Sequence, residues 1–144
     1  ARLRAPAPRA PHRDTRLDAA DGVPAVHRIE LPPSSYQADP AAKSRALEIA
    51  VEPYSPLGQG GDLNGNAVTA VAQAHDATTA QVVLAWHLAA GTIVIPKSIN
   101  PSRIRENLAA ASLTLSDDEL ASITTLERGA RIGADPAVAA FTQL

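Results

Sequence analysis

Thr92-Ile93-Val94-Ile95-Pro96-Lys97-Ser98-Ile99-Asn100-Pro101-Ser102-Arg103-Ile104-Arg105-Glu106-Asn107 decides how this chain is read. Thr92 to Ile95 is a short apolar, β-branched run that predicts a buried strand, closed by Pro96. A helix opens just beyond it. Asn100 is its N-cap candidate, and Pro101 falls at the first helical position, where a missing N–H is harmless. Ile104, Leu108 and Ala111 then share one face. Between strand and helix stand Lys97 and Ser98, and the first turn carries Arg103. At such a junction the unpaired backbone N–H groups and the helix dipole favour an anion. Lys97 adds a point charge, and Arg103 a planar fork suited to a terminal phosphate. Read from physics alone, the same residues more readily describe a basic loop followed by a solvated helix face, Arg103, Arg105 and Glu106.

Working outward, Val26 to Leu31 partly alternates in polarity and predicts a strand ended by Pro32-Pro33. Ala41 to Leu47 predicts a short helix, and Ile49 to Glu52 a second strand. Ser55 to Asn66 is rich in turn residues. Two helices follow, Ala67 to His75 and Thr79 to Ala90, with Thr79 as N-cap of the latter and Gly91 just past its end. Ser116-Asp117-Asp118-Glu119 is a capping box, with Leu115 and Leu120 placed as its hydrophobic staple, and predicts a last helix to about Glu127. Strands alternating with helices imply parallel pairing with right-handed crossovers. The fold class is therefore α/β.

Composition narrows the function. A formal net charge of −2 argues against general nucleic-acid or membrane-surface binding. With no Cys, neither a disulfide framework nor a thiolate metal site is possible, and the four His residues show no ligand spacing. No apolar run approaches the ~18 residues of a membrane span. The default expectation is a soluble, cytoplasmic protein without metal. Residues 1–22 differ from the rest: five Arg within the first sixteen positions face one acid, Asp14, and three Pro interrupt them. That composition cannot bury a core, so residues 1–22 are expected to be disordered and residues 23–144 to form the folded part. An Arg-rich, acid-poor start also describes an organellar transit peptide, but the prolines would spoil its amphipathic helix.

The stretch from Ile95 to Asn107 resembles the signature that follows the eighth barrel strand of aldo-keto reductases. The resemblance implies that Lys97, Ser98 and Arg103 hold the 2′-phosphate of NADP(H) and that Glu106 and Asn107 contact the adenine. Val51-Glu52-Pro53-Tyr54-Ser55-Pro56-Leu57-Gly58-Gln59-Gly60 is similar to the family's seventh strand and loop, in a form resembling the bacterial 2,5-diketo-D-gluconate reductases. It implies that Tyr54 stacks on the nicotinamide while Ser55, Leu57, Gly58 and Gln59 embrace the pyrophosphate. Taken alone, this loop reads as an ordinary Pro/Gly turn after a core Tyr. Pro24 to Pro33 resembles the sixth strand more distantly. Arg28 stands there for a nicotinamide-contacting Gln, and it cannot accept a hydrogen bond as Gln does. Thr79 to Leu88 follows a family helix, in which Trp86 and His87 are expected to be structural. The tail Arg131 to Pro136 is similar to the segment that lines the substrate pocket, with Phe141 a further apolar contact.

The resemblance implies a partial (β/α)8 TIM barrel, the C-terminal strands 6–8 with their helices. A complete barrel needs about 200 residues or more, and this chain has 144 and no Met. We therefore expect a truncated portion of an NADP(H)-dependent carbonyl reductase. The family's catalytic Asp, Tyr, Lys and His belong to earlier strands, so no catalytic residue is assigned. Tyr36 reads as a loop residue. NADP(H) is the expected ligand, and a small carbonyl substrate is expected only in a complete barrel. The alternatives are a non-catalytic NADP(H)-binding or interaction module, and an unrelated small α/β domain.

Overall fold

Two strands run parallel, β1 (Val26–Glu30) and β2 (Ala50–Tyr54), in the register Val26↔Ala50 through Glu30↔Tyr54. They belong to a computed structural model that describes residues 22–133. The Arg/Pro-rich start and Phe141 lie outside the described residues. Ile29 and Val51 face inward and, with Leu31 and Ala41, form a small buried cluster. The crossover is helix α1 (Ala38–Ala46), which begins three residues before the expected Ala41. Pro40 sits in its first turn, where no N–H is needed, so it does not delay the start.

The second and larger core lies between helices. Val68, Val71 and Ala72 of α2 (Asn66–Ala74) meet Val82, Val83 and Trp86 of α3 (Thr79–Ala89), together with Leu115 and Ile123. Ile123 belongs to α5 (Asp117–Thr124). Tyr36 packs against both clusters, its ring 5.1 Å from that of Trp86 at 69°. It lies in a loop, as expected, and from there it bridges the two clusters, half-buried. Its place follows from the buried 3-10 turn Pro33–Ser35, which swings it inward.

Caps explain where the helices begin. Thr78, not Thr79, caps α3: its hydroxyl accepts from the Gln81 N–H, and the Gln81 amide oxygen accepts from the Thr78 N–H. The reciprocal pair needs Gln three residues on, and only Thr78 has one. Ser116 and Glu119 form the expected box on α5. Glu119 also accepts from His75 at 2.8 Å, joining the end of α2 to the start of α5. The Ser116 N–H and then His75 hold the Glu119 carboxyl below its ordinary range. Helix α5 ends at Thr124 and not Glu127, because the N–H groups of Leu126 and Glu127 donate three residues back, to the Ile123 and Thr124 carbonyls.

Two expectations fail beside β2. Residues 92–95 do not form a strand, and the sheet has two strands among the described residues. A ladder needs successive pairs, but the Thr92 N–H and hydroxyl both turn back onto the His87 carbonyl. Only Ile93 reaches β2, its N–H donating to the Val51 oxygen at 2.9 Å, and Pro96 has no N–H to extend the pairing. The second concerns α4 (Pro101–Ala109). Ile104 and Leu108 do share a face, but they are 51% and 77% exposed. Ala111 lies past the helix, and Ala110 is buried in its stead.

Helix α3 is buried from Val82 through His87. Trp86 donates to the Thr124 hydroxyl at 3.3 Å. His87, 1% exposed, lies 3.0 Å from the Pro56 carbonyl. A carbonyl only accepts, so Nε2 carries the proton. Burial holds this imidazole neutral, its pKa lowered to about 4. Both residues are structural, as expected.

Two predictions follow from this packing. Ile123→Ala should cost about 2–5 kcal/mol, and Leu108→Ala no more than about 0.5 kcal/mol; urea unfolding followed by Trp86 fluorescence measures both. For His87, the unfolded chain gains a proton below pH 6.5 that the folded chain refuses until about pH 4. Its contribution, on the order of 3 kcal/mol, is complete above the unfolded pKa and is lost as pH falls through that window. His87→Gln should flatten the dependence of the urea midpoint on pH there.

Candidate functional site

The loop after β2 is turned by four residues with positive φ: Ser55 (51°), Gly58 (58°), Gln59 (52°) and Gly60 (95°). Left-handed backbone is costly for residues with a Cβ, so Ser55 and Gln59 must be held by their surroundings. The Gly58 N–H donates to the Ser55 carbonyl and the Gly60 N–H to the Leu57 carbonyl. His87 fastens the Pro56 carbonyl from below. Gly58 is required twice over, since a Cβ there would stand 2.4 Å from Asp62 Oδ2 as well as at positive φ. Asp62 is buried, and its Oδ2 has no hydrogen-bond partner among the described residues. The sequence had no signal for it beyond an acid in a Gly-rich turn.

The second group lies at the start of α4. Asn100 Oδ1 accepts from the N–H groups of Ser102 (2.8 Å) and Arg103 (3.4 Å), so the cap itself takes two donors that had been expected to face an anion. Ser98 Oγ accepts from the Asn100 N–H at 3.1 Å, which ties Ser98 to the cap. Glu106 accepts from the Ser102 hydroxyl at 2.8 Å across one helical turn. Lys97 and Arg103 are exposed, and neither is ion-paired among the described residues. Asn107 is half-buried one residue beyond Glu106. The basic residues therefore stand uncompensated on either side of a well-formed helix start.

A third cluster escaped the sequence reading. Glu30 is 1% exposed and faces Tyr54 across the strands, its Oε2 accepting from the Tyr54 hydroxyl at 3.2 Å. The same carboxylate accepts from the N–H groups of Ile132 and Gly133. Burial, then the Glu30 charge, pushes the Tyr54 phenol above its ordinary value, with the Arg131 guanidinium beside it partly offsetting. The signal available was register: a polar pair at the matched ends of two parallel strands. Arg28, in contrast, spends its charge on Glu52 at 2.7 Å, its direct cross-strand partner. Among the described residues there is no cluster of three or more groups able to hold a metal, and no helix long and apolar enough to cross a membrane.

Comparison with known proteins agrees with this architecture. Residues 61–128 match the Aldo/keto reductase family. The chain is 44% identical over 131 residues to an aldo-keto reductase of Mycobacterium sp. (strain KMS), covering 91% of this chain and 48% of that one. It is 42% identical over 130 residues to the methylglyoxal reductase DkgA of Yersinia pestis, covering 89% and 47%. A mutant of Gox0644, solved in complex with NADPH, superposes with a TM-score of 0.86 at 39% identity, over 92% of this chain and 49% of that one. The chain spans about half the length of the curated relatives it matches. By sequence and fold together, the chain is similar to aldo-keto reductases over about half their length, and residues 61–128 carry the match to the family itself.

Proposed function

We propose that this chain is the NADP(H)-binding C-terminal part of a bacterial-type aldo-keto reductase, with β1, β2 and residues 92–96 as the sixth, seventh and eighth barrel strands. In this reading Lys97, Ser98 and Arg103 hold the 2′-phosphate, and Glu106 and Asn107 meet the adenine. Ser55, Leu57, Gly58 and Gln59 border the pyrophosphate, and Tyr54 supports the nicotinamide. The observation that carries it is the pair of exposed cations, Lys97 and Arg103, unpaired among the described residues and flanking a helix start capped by Asn100. Two cations free of carboxylate partners suit a phosphate dianion better than a neutral hydroxyl. Gly58 adds support, since only a residue without a Cβ fits the turn beside Asp62. When bound, the cofactor supplies the hydride for carbonyl reduction.

This chain's own residues supply binding, not acid catalysis. Tyr36 is packed on Trp86, and Tyr54 donates to buried Glu30 with its pKa raised, which makes it a poorer proton donor. Carbonyl reduction on a small substrate therefore belongs, in this reading, to a complete cytoplasmic barrel. Titration with NADPH and NADH tests the proposal. Lys97→Ala and Arg103→Ala should each weaken NADPH binding about 10- to 100-fold, the range for a hydrogen bond to a charged group, and leave NADH nearly unchanged. Equal affinity for the two nucleotides would sink the phosphate assignment. Turnover of a simple aldehyde by the chain alone would refute the absence of a proton donor.

A further inference from the structure

We propose that Glu30 is a positioning residue: it ties the segment Arg131–Gly133 to Tyr54 at the end of the sheet, and so holds the aromatic that would support the nicotinamide. The last clause rests on the cofactor reading above; the tie itself does not. Its physical basis is a buried charge. A carboxylate that is 1% exposed must have its lone pairs met by donors. Glu30 Oε1 accepts from the Ile132 N–H, while Oε2 accepts from the Gly133 N–H at 3.0 Å and the Tyr54 hydroxyl at 3.2 Å. Those donors come from two places far apart in sequence, more than 100 residues in one case and 24 in the other. One carboxylate therefore sets their relative position.

The surroundings hold the tie from both ends. The Gln37 side chain donates to the Glu30 carbonyl at 2.7 Å, fixing the main chain at the end of β1. The approaching segment is moored just before it, where the Arg128 and Ala130 N–H groups both donate to the Ser34 carbonyl. Gly133 is fitted to the site: a Cβ there would lie 2.9 Å from Glu30 Oε2 and 3.1 Å from the Tyr54 oxygen. Arg131 stands beside the same phenol, which places a cation next to the buried acid without removing its need for the two N–H groups. Replacing Glu30 by Gln would keep its size but turn an amide NH2 toward donors, so at least one N–H would lose its acceptor.

The test uses the full chain without cofactor. Glu30→Gln should speed tryptic cleavage after Arg131 about 10- to 100-fold, with cleavage after Arg45 in α1 unchanged as the control for global unfolding. In a Tyr36→Phe background, where Tyr54 is the one tyrosine titrating, absorbance should show its pKa falling back toward 10. The unchanged site after Arg45 separates this local release from a general loss of packing. If Glu30→Gln unfolds the chain, Gly133→Ala decides: it keeps Glu30 and should both expose the bond after Arg131 and shift the Tyr54 titration. Protection after Arg131 and an unchanged Tyr54 titration in the folded variant would overturn the proposal. A wild-type chain that fails to bind NADPH but shows both effects supports the tie and removes only the cofactor reading.

Discussion

A helix buried on every side has no water to satisfy its polar side chains, so it must find partners within the fold. Helix α3 is such a helix, closed off from Val82 through His87. Trp86 faces α5 and gives its N–H to Thr124, while His87 faces the loop after β2 and meets the Pro56 carbonyl. The helical core and the left-handed loop are thereby fastened to one element. Thr92 closes the end of that helix and, in doing so, gives up the backbone N–H a third strand would need. Both the order of the loop and the shortness of the sheet trace back to how α3 is satisfied.

Charge is divided by burial. The acids Glu30 and Asp62 are inside, near the ends of the strands and beneath the loop, whereas Lys97 and Arg103 are outside and, among the described residues, unpaired. A buried carboxylate in low dielectric organises whatever donors surround it, and Glu30 gathers a phenol and two backbone N–H groups. Exposed cations organise nothing by themselves, because water screens them; they remain available to a polyanionic ligand. Glu30 is thus satisfied from within the fold, whereas the exposed cations are not.

The apolar surface is divided as well. Ile95, Ile99, Ile104 and Leu108 are exposed along the segment after α3 and on α4, although the periodicity of α4 is that of a helix with a buried face. The helical core, by contrast, has native-like closure around Val68, Val83 and Ile123. A chain that spans about half the length of its relatives, with a two-stranded sheet and an open apolar face on α4, has local structure in excess of its tertiary contacts.

The sequence by itself determined the helices, their caps at Asn100 and Ser116, and both strands, since each rests on residues close together in the chain. The cap on α3 is equally local, yet it is Thr78 and not the expected Thr79, because only Thr78 has Gln81 three residues on. Tertiary structure alone decided the rest. It placed Tyr36 between two cores, withheld Thr92 from the sheet, left Ile104 and Leu108 open, and paired Glu30 with residues 102 and 103 positions away. Periodicity reveals that a face is apolar but not whether anything covers it, and it is silent on which distant donor will meet a buried charge. Those outcomes depend on contacts between parts of the chain that no local pattern encodes.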